Sequence, residues 1–208
     1  MKKIVFSICS AVMIIAGCSS IKKISLSNYS GQQITFYDNS AEYYAGDKIM
    51  KCKLSDTATL NGYKCISWIW FFENGQIKQF ETAMDIKMPG YTIPSNSTIF
   101  FNDQNPNKIK YIWFSSDVKI NNIECKGGGK ISTAFYDNDS LKACFLVKDI
   151  EIQGYSCKSS LFEPVYFYPD GKIKILTLSI DSKFDNIEYK KGESISIGEN
   201  GLVFRFKR

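Results

Sequence analysis

Few residue types in this chain can do chemistry. It carries seven cysteines, three tryptophans, 21 acidic residues and no histidine. Without histidine there is no Ser-His-Asp or Cys-His nucleophile and no His-ligated metal. No two cysteines stand in a CxxC pair, so the sequence argues against zinc. Cys52 and Cys65 are 13 residues apart, as are Cys144 and Cys157. The matched spacing suggests a disulfide within each repeat, and each would close a loop worth about 3 kcal/mol in the chain-entropy model. As free thiols, the same residues would pack like small apolar side chains. Cys125 lacks a partner at that spacing and is expected to be buried and inert. A recurring carboxylate (Asp56, Asp85, Asp117, Asp149, Asp181) could form a calcium row. One acid per turn is too sparse for that, and each Asp is expected to bond its own turn backbone. Trp68, Trp70 and Trp113 fall in one stretch of the chain, residues 43–113, with Tyr43, Tyr44, Tyr63 and Tyr91. Exposed, such a group would suit a glycan or protein partner; buried, it would be core. Gly127-Gly128-Gly129 lacks the Lys-Ser/Thr of a phosphate loop and reads as a flexible link. No catalytic residue, metal ligand or cofactor is assigned.

The first residues, MKKIVFSICSAVMIIAGCSS, are read as an export signal. Lys2 and Lys3 form a basic start, and Ile4 to Ile15 an apolar run too short for a permanent membrane helix. The run ends in Ile15-Ala16-Gly17-Cys18, which resembles the lipobox of bacterial lipoproteins. The resemblance implies cleavage after residue 17 and a diacylglyceryl group on Cys18, with palmitate among its acyl chains. Several acyl chains hold firmly where one would not, at ~0.8 kcal/mol per buried methylene. Ser19, not Asp, follows the cysteine, and in the family that goes with sorting to the outer membrane. Losing residues 1–17 removes two lysines and no acid, so the net charge falls from +5 to +3. The charges alternate without long like-signed blocks. Nucleic acid is therefore not an expected partner.

The segments that must position these groups repeat. Cys52-Lys-Leu54-Ser-Asp56 through Gly62-Tyr63-Lys-Cys65 aligns with Cys144-Phe-Leu146 through Gly154-Tyr155-Ser-Cys157. The same frame starts again at Phe80, Ile112 and Leu176, so the starts lie 28, 32, 32 and 32 residues apart. A second motif precedes each line, as in Trp70-Phe71-Phe72-Glu-Asn74-Gly75 and Val165-Tyr-Phe167-Tyr-Pro-Asp170-Gly171. Aromatic and β-branched residues before Asn-Gly or Asp-Gly signal a hairpin with a type I′ turn. No stretch keeps a helical period. The sequence therefore predicts an all-β fold of five to six hairpin-based repeats of about 32 residues, forming an elongated sheet or β-solenoid. The pattern resembles the "FYENGKIK" hairpin repeats of bacterial lipoproteins and MORN-like proteins over residues 31–202. It departs from MORN units in its greater length and sparser glycine. The resemblance implies a repetitive β-fold and no particular activity.

The expected organisation is a signal peptide at 1–17, a lipidated N-terminus and tether at 18–30, and a β-repeat domain at 31–208. The expected function is a lipid-anchored envelope protein that presents a repetitive β-surface. That surface is structural or binding rather than catalytic, and faces an envelope protein or a glycan. The alternative is a carrier holding an acyl chain or glycolipid in a β-groove.

Overall fold

The computed structural model describes residues 20–26 and 32–206. The expected signal peptide and lipidation site Cys18 lie outside the described residues. Within the segment read as a tether, Ile21–Leu26 is a strand paired antiparallel with Gln32–Tyr37.

One 13-stranded antiparallel sheet dominates. Its strands follow chain order: Glu42–Tyr43, Ile49–Lys53, Tyr63–Phe71, Ile77–Thr82, Thr98–Phe101 and Ile109–Trp113. Ser132–Phe135, Leu141–Cys144, Val165–Phe167, Ile173–Thr177, Ser194–Ile197 and Val203–Arg205 complete the run. Ala58–Leu60 joins it at the side of Tyr63–Phe71. Between successive pairs of sheet strands the chain makes small separate hairpins. These are Ile86–Met88 with Tyr91–Ile93, Val118–Ile120 with Ile123–Cys125, Ile150–Ile152 with Tyr155–Cys157, and Ser182–Phe184 with Ile187–Tyr189. The result is an elongated all-β structure of a long sheet and many hairpin sub-sheets.

Side chains alternate between the two faces of a strand, and the sequence obeys that period. One face of the sheet carries the cross-strand row Cys52–Ile69–Phe80–Ile99–Ile112–Thr133, continued by Cys144–Val165 and Leu176–Ile195. Every member is buried. The small hairpins add Ile93, Ile120, Ile152 and Tyr189 to the same core, and the side strand Ala58–Leu60 adds Leu60. Leu54, Leu146 and Leu178, expected to be equivalent, each form an isolated bridge to a strand earlier in the chain, at Phe36, Cys125 and Cys157. That bridge ties one hairpin to the next.

The turns explain the frame and correct one expectation. The Asn-Gly and Asp-Gly steps do close hairpins, but not through type I′ turns. Gly75 and Gly171 have φ of 84° and 85°, while Asn74 and Asp170 are not in the left-handed region. Gly75 N–H donates to the Phe72 carbonyl and Phe72 N–H to the Gln76 carbonyl, both at 2.8 Å. This is the three-residue loop with a glycine bulge. The side-chain oxygen of Asn74 accepts the Gln76 N–H at 3.0 Å, and Asp170 accepts that of Lys172 at 3.0 Å. Two consecutive positive φ angles occur instead at the tips of the small hairpins, as at Asn121-Asn122 and Gln153-Gly154.

The recurring aspartates sit at the base of those small hairpins. Asp85, Asp117, Asp149 and Asp181 each accept the backbone N–H ten residues on, at 2.8, 2.9, 2.7 and 2.8 Å. Asp56 departs from the set and accepts the hydroxyl of Thr35 at 3.3 Å. Among the described residues, no group of three or more acids and cysteines could hold a metal ion.

Candidate functional site: an aromatic cleft on the open face of the sheet

The cysteines do not form a site. Cys52, Cys65, Cys125, Cys144 and Cys157 are all free and buried, so the disulfides expected for Cys52–Cys65 and Cys144–Cys157 are absent. Register is the reason. Cys52 opposes Ile69, whereas Cys65, on that same partner strand, opposes Ala58 and Thr82. The offset is on the order of 10 Å along the strand, beyond the ~7 Å that a disulfide spans. Cys144 opposes Val165, whereas Cys157 opposes Ile150 and bridges to Leu178. The thiol that Cys144 does meet is Cys125. A hydrogen bond with Cys125, and then burial, hold the Cys144 pKa well above the ordinary thiol value. Burial alone pushes Cys52 to about 12, and burial is the main cause of the same rise at Cys65 and Cys157. These groups are thiols, not thiolates, at neutral pH, and thiols are poor nucleophiles and poor ligands.

The tryptophans do come together around a cleft. The face of the sheet opposite the core carries the row Lys51–Trp70–Gln79–Phe100–Tyr111–Ala134, each residue the cross-strand partner of the next. A second row places Glu81, Thr98, Trp113 and Ser132 side by side. Trp68 stands beside Trp70 with ring centroids 5.8 Å apart. Both point outward because Ile69 between them points in. Phe100 packs under Tyr111 at 4.2 Å and Trp113 at 4.4 Å. The Trp113 indole N–H donates to the Ser132 hydroxyl at 2.9 Å, which fixes the ring.

The two aromatic groups flank an open cleft of about 500 Å³, floored by Gln79, Glu81 and Thr98. That volume lies in the range of small-ligand sites. Its far rim is the Gly127-Gly128-Gly129 segment, which is a fixed turn rather than a flexible link. Gly128, Gly129 and Lys130 all have positive φ, and Gly128 N–H bonds the Phe114 carbonyl at 2.8 Å. A Cβ at Gly127 would meet the Ser116 carbonyl oxygen at 2.0 Å, so the turn requires glycine there. The turn holds the Lys130 ammonium 5.8 Å from the Trp113 ring centre. On the opposite rim Lys51 lies over Trp68 at 5.7 Å and pairs with Glu42 at 2.7 Å. Among the described residues, the indole N–H groups of Trp68 and Trp70, the amide of Gln79 and the carboxylate of Glu81 have no hydrogen-bond or ionic partner.

The four tyrosines grouped with these tryptophans in the sequence go elsewhere. Tyr63 packs on Phe80 and Phe101, and Tyr91 on Phe114 and Phe135, both on the core side. Tyr44 bonds the Phe71 carbonyl at 2.9 Å, and Tyr43 is exposed. Phe100 and Tyr111 do not line the cleft but support Trp113, and they escaped sequence reasoning. Their signal was present, since each neighbours an inward isoleucine of the repeat, Ile99 and Ile112, and so must face outward.

Comparison with protein families, curated proteins and solved structures gave no match.

Proposed function

We propose that the protein is a lipid-anchored component of the bacterial cell envelope, held in the outer membrane through Cys18, that presents its long sheet as a binding surface without catalysis. One observation carries the reading. The sheet spends one face on a closed core and leaves on the other an open aromatic cleft with unengaged polar groups. The lipobox at Ile15–Cys18 supports the anchor. The carrier alternative needs a continuous apolar groove, where a scaffold has packed side chains. The core positions are filled by side chains such as Ile69, Phe80 and Ile112, each 0% exposed, which favours the surface reading. The test is fractionation of cells expressing the full chain or its Cys18→Ala variant, with and without a lipoprotein signal peptidase inhibitor. The wild type is expected in the membrane fraction with an acylated mass. An unchanged mass and an unchanged fraction for the variant overturn the anchor.

A further inference from the structure

We propose that the cleft between Trp68/Trp70 and Trp113 binds a neutral oligosaccharide, with sugar rings stacked on the indoles. The inference deepens the surface-binding reading and rests on it. Three properties of the cleft select this class of ligand. Its walls are aromatic faces, whose negative quadrupole attracts the weakly positive C–H face of a pyranose. Between those walls stand donors and acceptors with no protein partner, from Trp68, Trp70, Gln79 and Glu81, which suit the hydroxyl-rich edge of a sugar ring. An acyl chain would bury these groups unpaired, at the desolvation penalty that buried polar groups carry. The charge is balanced, with one carboxylate at Glu81 and one ammonium at Lys130 lining the cleft. A polyanion needs a basic track, and none runs through it. Aromatic walls also suit a proline-rich peptide, but such a peptide presents few groups that could engage Gln79 and Glu81 together.

The site is also built to stay in place. Every wall residue except those of the glycine turn, Ser115 and the turn residue Asn96 stands on a strand or at its immediate end. Trp113 is fixed by Ser132 and Phe100, and the glycine turn is fixed by Phe114 and Asp117. A rigid aromatic site loses little conformational entropy when it binds.

The experiment presents the labelled full chain, in a detergent without a sugar headgroup, to an array of neutral and anionic oligosaccharides. The best-binding glycan is then titrated while tryptophan emission is followed. Deca-proline and oleate are titrated in parallel. Binding to neutral glycans, a shifted tryptophan emission and a loss of about tenfold or more in affinity for Trp70→Ala are the expected results. Trp113→Ala also removes packing on Phe100, so Gln79→Ala and Glu81→Gln serve as the variants that leave the hydrophobic walls intact, and each is expected to weaken binding severalfold. Leu161→Ala, on an exposed loop outside the cleft, is expected to change nothing. The proposal is overturned by an array without signal, or by binding confined to anionic glycans and abolished by high salt. It is overturned equally by affinity unchanged in Trp70→Ala, or by deca-proline or oleate binding where no glycan does. None of these results alters the fractionation of the Cys18→Ala variant, so failure of the ligand assignment and failure of the anchor are distinguishable.

Discussion

Tyr136 donates its phenolic hydrogen to the carbonyl oxygen of Phe167, 2.8 Å away, and Tyr168 makes the same bond to Ile197 at 2.9 Å. The two tyrosines hold equivalent positions, 32 residues apart in the chain. Each starts a hairpin loop and reaches to the next one, so the bond fastens neighbouring hairpins at their tips. Tyr136→Phe and Tyr168→Phe remove only the hydroxyl. Each is expected to cost about 1 kcal/mol of stability, the typical net worth of one hydrogen bond. Urea unfolding of the single and double variants checks this. The double variant should lose close to the sum, because the two bonds share no atom.

Thr133 stands in the buried row between Ile112 and the next strand, and its Oγ1 has no hydrogen-bond partner. An unpaired buried hydroxyl is destabilising. Thr133→Val replaces it with a methyl of similar size, and the variant should be more stable by about 1 kcal/mol. A lower melting temperature for Thr133→Val would mean that the hydroxyl has a partner in solution.

The buried cysteines should resist alkylation in the folded protein at neutral pH, since burial raises the pKa values of Cys52, Cys65 and Cys157 to about 12. In guanidinium all five should react. Mass spectrometry before and after unfolding counts them. Recovery of a Cys52–Cys65 or Cys144–Cys157 link by non-reducing peptide mapping would contradict the register that separates them.

Asp181 accepts the Lys191 N–H and pairs with the Lys190 ammonium. The backbone bond first, and the lysine second, hold its pKa below the ordinary value of 3.8. A depressed folded-state pKa contributes stability above the unfolded pKa, and that contribution is lost as pH falls through the folded value. The wild type should therefore lose stability below about pH 4. Asp181→Asn cannot ionise and should lose less over the same range. Thermal melts of both proteins between neutral and strongly acidic pH measure the difference.

Much of this was legible in the sequence, and the part that was not has a physical cause. The hairpins at Asn74-Gly75 and Asp170-Gly171 were legible because turn chemistry is local. So was the equivalence of Leu54, Leu146 and Leu178, whereas Asp117 and Asp149 bond the backbone ten residues on rather than that of their own turn, because the closing of each small hairpin brings that distant N–H to them. The turn type was misread because an Asx side chain can stabilise a type I turn before the glycine as readily as glycine permits a primed one. The cysteine pairing was misread because the matching spacings lie within a unit, while the thiols that meet, Cys125 and Cys144, come from adjacent units. Trp68, Trp70 and Trp113 were visible as a group. Their separation from Tyr63 and Tyr91 was not, because it depends on which strand face turns inward at each position.

The division of Ile109–Trp113 between two faces of the sheet, kept across a bulge at Lys110, has an evolutionary consequence. Ile109 and Ile112 answer to the core, whereas Tyr111 and Trp113 answer to whatever lies outside. Mutations at the outward positions can therefore drift or be selected with little penalty to folding, and the same architecture can be retargeted by surface change alone. Gain or loss of one pair of sheet strands with its small hairpin would lengthen or shorten the sheet while keeping its cross-section, so the extent of the open face and its chemical character can change by separate genetic events.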